Sequence, residues 1–524
     1  MKALALPMIA MLAAFPLAAQ AQAEGQAAQA AQACRIGGLR HELLCGSVTR
    51  ALDPARPAGP TIDVHYAVVA ATARNKSSDP VFVLAGGPGQ SAIALAGNLL
   101  PLLQRLNNRR DVVFVDQRGT GRTAPLACAS DATLPLADRL DSGRAIERMR
   151  ACRSRLQALP HGDLRFYTTT LAMRDLDAVR EALGAPQLNL VGASYGTRAA
   201  LEYLRLFPQR VRRAVLDGVA PPDMVLPHSM AQDVEGALEA LLGDCEREAA
   251  CRRDQPELRA LWQKLRASLP REFSVADPAS GEPTKVWLTD EALAAAVRGP
   301  LYAPALASAL PFAIGEAAAG RATPLFGLAA SLSGGPRATR IAEGMHFSVV
   351  CAEDYPLMLH APAEREPAVF SQAFARPYMA LCRDWPRGAV EPAFYQVLPS
   401  RAPVLAFSGS LDPVTPPRHG AKVIEALGAM ARHVVVTGAG HGVMGIGCAR
   451  DVVHRFIDAG SHAEALAVDA SCLAMLPRPP AFRPARAAPP SPTGLVAGPS
   501  RQPEGLAAPA RGGLVPGEAP GGRQ

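Results

Sequence analysis

Five residues, Gly192-Ala193-Ser194-Tyr195-Gly196, stand between a short apolar run, Leu188 to Val191, and a helix-patterned stretch, Thr197 to Phe207, that stops at Pro208. A buried strand that must become a helix within so few residues fits one setting well: the carboxyl edge of a mostly parallel sheet covered by helices. The turn is so tight that side chains flanking the serine would strike the strand and the helix, and glycine removes them. Ser194 is thereby lifted clear at the sheet edge, beside a helix N-terminus that favours developing negative charge.

The surrounding chain keeps the same rhythm. Val64 to Ala70, Pro80 to Leu84, Asp111 to Val115 and Val211 to Leu216 read as strands, and Leu171 to Leu183, closed by Gly184, reads as a helix. From 223 to 399 the pattern is largely helical, with few strand signals. Val404 to Phe407 and His433 to Val436 then resume the strands, and Arg450 to Ile457 closes with a helix. The expected architecture is α/β: a mostly parallel sheet with helices on both faces and a large helical cap inserted after the sixth strand. The catalytic domain then comprises residues 61–222 and 400–476, with the cap at 223–399 between them. Residues 24–60 are expected to be a leader, and the Pro/Ala/Gly-rich tail 477–524 is expected to be disordered.

Met1-Lys2, the apolar stretch to about Ala19 and the small-residue run Ala19-Gln20-Ala21-Gln22-Ala23 have the form of a signal peptide over 1–23. No later stretch offers about 18 uninterrupted apolar residues, so no stable membrane insertion is expected. The ten cysteines fall as neighbours: Cys34 with Cys45, Cys128 with Cys152, Cys245 with Cys251, Cys351 with Cys382, and Cys448 with Cys472. In an oxidising compartment five short disulfide loops are the simplest proposal, although spacing alone does not prove connectivity. The expected location is the bacterial periplasm or the exterior. No cysteine or histidine cluster has zinc spacing, so no metal is expected. The formal charge of +7 is scattered over 524 residues rather than gathered into a stripe, which argues against a nucleic-acid partner.

A serine hydroxyl needs a base to take its proton, and that base an acid to orient it. Asp412, in Ser410-Leu411-Asp412-Pro413, follows one late strand; His441, in Gly440-His441-Gly442, follows the next. Both loops leave the sheet at the edge that carries Ser194. Ala85-Gly86-Gly87-Pro88-Gly89 follows the Pro80 to Leu84 strand. Its Gly86 or Gly87 N–H, with that of Tyr195, is placed to bind an oxyanion.

Taken together, Ala85-Gly86-Gly87-Pro88-Gly89, Asp116-Gln117-Arg118-Gly119-Thr120-Gly121-Arg122-Thr123 and Gly192-Ala193-Ser194-Tyr195-Gly196 resemble the proline iminopeptidase and tripeptidyl aminopeptidase family of α/β-hydrolases. Ala85 stands where that family carries histidine, and Thr123 where it carries serine. The resemblance runs from about residue 80 to 475, and the export signal and paired cysteines are closest to its secreted tripeptidyl aminopeptidase branch. It implies a Ser194–His441–Asp412 peptidase that needs no cofactor and releases N-terminal residues from short peptides. The family's cap carboxylates hold the substrate amine, which makes Glu353 or Asp354 the candidate anchor. An esterase or amide hydrolase on a small acyl substrate, and a non-catalytic ligand-binding relative, are the alternatives. Oligomeric state is not legible.

Overall fold

The computed structural model describes residues 28–40, 42–131, 134–331, 340–360, 370–474 and 476–484. The signal-peptide run 1–23 and the tail beyond 484 lie outside the described residues. Eleven strands are numbered here in chain order: β1 Ala28–Cys34, β2 Leu43–Ala51, β3 Thr61–Val69, β4 Val81–Leu84, β5 Val112–Val115, β6 Leu188–Ala193, β7 Val211–Asp217, β8 Arg271–Ala276, β9 Pro283–Leu288, β10 Val404–Gly409 and β11 Ala431–Val436. Nine of them form one sheet in the order β1-β2-β3-β5-β4-β6-β7-β10-β11. The pairings β1–β2, β2–β3 and β3–β5 are antiparallel, and every pairing from β5 onward is parallel.

The strand sequences explain the layering. Val-Phe-Val-Leu in β4 and Val-Val-Phe-Val in β5 are apolar at every position because both faces are covered. Phe82, Leu84, Val113, Leu190 and Leu216 enter one core with the helices Thr169–Ala182 and Tyr195–Leu206. Val81, Val83, Val112, Phe114, Val191 and Val215 enter the opposite core with the helices Ala92–Asn107 and Ala449–Asp458. This strict alternation is the pleat's period of two.

The structure corrects the expected boundaries in four places. The supposed leader contains β1 and β2, so the sheet begins near residue 28 and the insertion follows the seventh strand, not the sixth. β1, Ala-Gln-Ala-Ala-Gln-Ala-Cys, has no β-branched residue and is held at the sheet edge by its pairing with β2. The inserted segment also contains the hairpin β8–β9. There Phe273, Val275, Val286 and Leu288 point inward while Trp287 is exposed.

Nor is 223–399 one lobe. Helices between Leu226 and Ala330 share a core with Phe370 and Ala373. Met345, Val349, Cys351, Tyr355, Cys382 and Trp385 instead pack into the sheet's own core. Finally, the first residues of the expected tail run across the inserted helices. The Phe482 N–H donates to Ser308 O, and its ring meets Phe312.

Five disulfides join each cysteine to its neighbour in sequence: Cys34–Cys45, Cys128–Cys152, Cys245–Cys251, Cys351–Cys382 and Cys448–Cys472. Cys351–Cys382 ties two helices of the inserted segment together beside the sheet core. Among the described residues no helix is long and apolar enough to cross a membrane.

The loop after β5 is anchored by buried charge. Arg118 makes a two-pronged pair with Asp175, at 2.7 and 2.9 Å, and donates to Leu52 O and Phe166 O. Asp116 accepts from Ser91 Oγ at 2.6 Å and from the Ile93 and Arg122 N–H groups, which fixes the start of the helix Ala92–Asn107. Thr123 Oγ1 accepts the His65 N–H, a role open to the serine it replaces. Substituting Arg118→Met leaves Asp175 buried with, among the described residues, Arg50 at 3.3 Å as its remaining cation. The expected loss is about 3 kcal/mol in denaturant unfolding of the oxidised protein, and a loss under about 1 kcal/mol would contradict this account.

Candidate active site

Ser194 occupies a turn that only close packing can hold. Its backbone lies at φ 56°, ψ −125°, in a region that side-chain-bearing residues rarely enter. A Cβ on Gly192 would collide with Gly196 O, and one on Gly196 would collide with Leu84 O. Both glycines are therefore required by the approach of β6, the following helix and β4. The Ser194 N–H donates to Asp217 O at 2.9 Å, and Ser194 O accepts from the Thr197 N–H and hydroxyl.

Asp412 and His441 meet in the loops after β10 and β11. His441 Nδ1 lies 2.8 Å from Asp412 Oδ2. Asp412 Oδ1 accepts the Val414 and Thr415 N–H groups at 2.8 and 2.9 Å, and Thr415 Oγ1 donates to Oδ2 at 2.8 Å. Burial alone would raise the Asp412 carboxyl, but His441 and these donors outweigh it and hold it below its ordinary range. Ionised Asp412 thus keeps the proton on Nδ1 and leaves Nε2 basic. Burial likewise pushes the His441 imidazolium down, and the Asp412 charge overcomes it, so the histidine titrates above its ordinary 6.5. No hydrogen bond joins Ser194 Oγ to His441 among the described residues; such contacts often close only once substrate is bound.

Three residues that sequence reasoning missed position this histidine. The Asp217 carboxylate accepts the Val443 N–H at 2.8 and 2.9 Å and the Met444 N–H at 2.9 Å, while its own carbonyl holds Ser194. Tyr302 O accepts the His441 N–H at 2.9 Å, and its ring stands edge-on to the imidazole at 5.1 Å. Gly218 leaves room for the ring, since a Cβ there would lie 3.2 Å from His441 Cε1. Asp217 ends a strand in Val-Leu-Asp-Gly, beside Gly218, and that placement is the one signal the sequence offered.

Ser194 borders two cavities. One of about 500 Å³ is lined by Gly87, Tyr195, Arg198, Arg298, Tyr302, Glu343, His346 and Tyr378, among others. The second, about 160 Å³, is almost wholly apolar and is formed by Ala85, Gly86, Leu95, Leu99, Leu103 and Met444. Gly86 lies against the serine: a Cβ there would stand 3.2 Å from Ser194 Cβ.

Glu353 and Asp354 do not reach the larger cavity, which corrects their expected place as the amine anchor. Both are buried. Glu353 accepts the Thr169 N–H at 2.7 Å and its hydroxyl at 3.0 Å, and Asp354 pairs with Arg198 at 2.8 Å. Burial raises Glu353 to about 7. The helix Glu343–Glu353 and its C-cap Asp354 turn these carboxylates inward, and it is their partner Arg198, on the helix Tyr195–Leu206, that borders the cavity. Among the described lining residues the acidic one is Glu343, whose Oε2 accepts the Cys128 N–H at 3.1 Å.

Residues 79–302 match the family model described as alpha/beta hydrolase fold, and residues 366–472 match the one described as TAP-like protein. Residues 79–302 thus carry the α/β-hydrolase fold, and the C-terminal part is similar to TAP-like proteins, in keeping with the resemblance carried by the three glycine motifs. A tripeptidyl aminopeptidase of Streptomyces lividans is 32% identical over 228 residues, 38% of this chain and 42% of that protein. The serine protease Hip1 of Mycobacterium tuberculosis H37Rv is 30% identical over 225 residues, 40% of this chain and 42% of that protein. A proline iminopeptidase of Neisseria meningitidis serogroup B is 30% identical over 146 residues, 28% of this chain and 34% of that protein. The chain thus spans about two-fifths or less of the length of these relatives.

The opposing influences on His441 can be separated. In the wild type, NMR of the imidazole Cε1–H should show a midpoint above 6.5; in Asp412→Asn burial prevails and the midpoint should fall below it. A variant midpoint no lower than that of the wild type would refute the assignment.

Proposed function

We propose that this protein is an exported serine aminopeptidase that removes residues from the free N-terminus of short peptides. The observation that carries the proposal is the convergence at one sheet edge of Ser194, in its strained turn, with an Asp412–His441 pair closed at 2.8 Å. In this reading Ser194 Oγ attacks the scissile carbonyl carbon while His441 Nε2 takes the hydroxyl proton. The oxyanion rests on the N–H of Tyr195 and of Gly86 or Gly87. The tetrahedral intermediate collapses, the C–N bond breaks, and His441 returns the proton to the leaving amine. Water, activated by the same imidazole, then releases the acyl group.

Recognition of a free amine is assigned to Glu343, the acidic residue among the described ones bordering the cavity with Ser194, whose Oε2 is held by the Cys128 N–H. An ammonium held there would fix where the peptide begins. Export is supported by the five paired disulfides, which persist in oxidising compartments. The apolar 160 Å³ cavity beside Ser194 favours one second reading, an esterase acting on short acyl chains.

A peptide anilide with a free amine and its N-acetylated twin separate the two. The free amine should be cleaved at least about tenfold faster in kcat/KM, and Glu343→Gln should erase the difference. Equal turnover of both compounds by the wild type would discard the aminopeptidase in favour of the esterase or a general amidase. Ser194→Ala should lower kcat by about 10⁴-fold or more and abolish labelling by a fluorophosphonate. Retained labelling would remove Ser194 from the nucleophile's role.

A further inference from the structure

Two guanidinium groups border the cavity beside Ser194, and only one of them is neutralised. Arg198 pairs with Asp354 at 2.8 Å and approaches Glu353 at 3.7 Å. Arg298, on the helix Asp290–Leu301, has no carboxylate within salt-bridge distance among the described residues. Its Nε is buried without a hydrogen-bond partner. Its partner is a neutral one, Tyr302 Oη, to which Nη2 donates at 2.5 Å, with the guanidinium also stacked 5.3 Å from the Tyr302 ring centre. A cation held in a partly dehydrated wall with unmet donors lacks the anion that would complete it.

Of the neighbouring polar groups, His346 and Tyr378 satisfy each other, and Tyr302 adds a donor. His346 Nδ1 lies 3.2 Å from the Pro88 carbonyl, which can only accept, so Nδ1 carries the proton. Burial keeps this imidazole neutral, pushing it down to about 4. His346 Nε2 therefore accepts the Tyr378 hydroxyl proton at 3.0 Å. Tyr302 Oη already accepts from Arg298, which leaves the Tyr302 proton to donate into the cavity. The fork of Arg298 and the Tyr302 hydroxyl together match the oxygens of a carboxylate, whereas a neutral carbonyl would leave the charge uncompensated.

The position of this pair decides which carboxylate. Tyr302 holds the His441 N–H through its carbonyl and packs edge-on against the imidazole. Arg298 therefore stands on the histidine's side of Ser194, the side from which a leaving amine departs with its proton. A carboxylate that reaches Arg298 within a cavity of about 500 Å³ must close a short leaving fragment.

We propose that Arg298 and Tyr302 bind the α-carboxylate of the leaving amino acid or short peptide, so that the preferred substrates are short peptides with a free C-terminus. The proposal rests on the peptidase reading for its choice of substrate, but the clamp can be tested without turnover. Two peptides identical except for a C-terminal carboxylate or carboxamide are compared. The wild type should favour the acid by about 10- to 100-fold in kcat/KM. Arg298→Gln should bring that ratio close to one, and Arg298→Lys, which keeps the charge but not the fork, should restore part of it. A wild-type ratio near one, or a ratio unchanged in Arg298→Gln, overturns the proposal.

Calorimetric binding of the same two peptides to the Ser194→Ala protein gives a second measurement. It stands even if Arg298→Gln fails to fold or the wild type cleaves neither peptide. Tighter binding of the acid there supports the clamp, and equal affinity overturns it. Failure of the wild type to cleave either peptide, with the acid still bound more tightly, would count against the peptidase reading alone.

Discussion

The strained backbone at Ser194 is the constraint from which the rest of the site follows. A residue with a side chain at φ 56° persists only where its surroundings leave no alternative. Here Gly192 and Gly196 let β6, the next helix and β4 close to contact distance, and Asp217 O captures the serine's N–H. The strand order does the rest. β4, β6, β7, β10 and β11 are successive parallel neighbours, so the glycine loop, the serine turn, Asp217, Asp412 and His441 all emerge at one edge. Parallel strands collect chemistry at their carboxyl ends for this geometric reason.

Buried charges hold those loops, and each is balanced differently. Asp217 and Asp412 flank the same histidine loop, yet their carboxyls shift in opposite directions. Asp217 is buried among backbone N–H donors and is raised because burial outweighs them. Asp412 has comparable donors but faces the imidazole directly, and that added charge brings it below its ordinary range. The first suits a structural tie, and the second suits a group that must stay ionised beside a base. Arg118 with Asp175 plays a tying role on the other side of the sheet, joining the loop after β5 to the end of β2 and to the helix Thr169–Ala182.

What was legible in the sequence divides along a physical line. Ser194, Asp412 and His441 could be placed because each follows a recognisable apolar strand, and a strand's end fixes which edge its loop occupies. The two-sided burial of β4 and β5 was readable from unbroken apolar runs. β1 was hidden because an edge strand of alanine and glutamine is held by backbone pairing, which leaves no mark in side-chain pattern. The β8–β9 hairpin did carry a period of two, at Phe273, Val275, Val286 and Leu288, obscured by the helical stretches around it. Glu353 and Asp354 were misplaced because a family resemblance locates a residue in the chain but says nothing about which way its side chain faces. Only three-dimensional packing shows that they turn toward Arg198 and Thr169.

The larger cavity therefore differs from the simple acidic pocket that those two residues suggested. It sets Glu343 and Arg298 in one lining with Ser194 and with Arg198, whose charge is met by the buried Asp354 and Glu353. Arg298 also bears on the proposed base, His441. Its positive charge opposes protonation of His441, against the pull of Asp412. A substrate carboxylate seated on Arg298 would cancel that repulsion and make His441 a stronger base once the cavity is filled. Binding a short peptide acid and strengthening the proton acceptor would then be two effects of one ion pair, acting where the leaving group must be protonated.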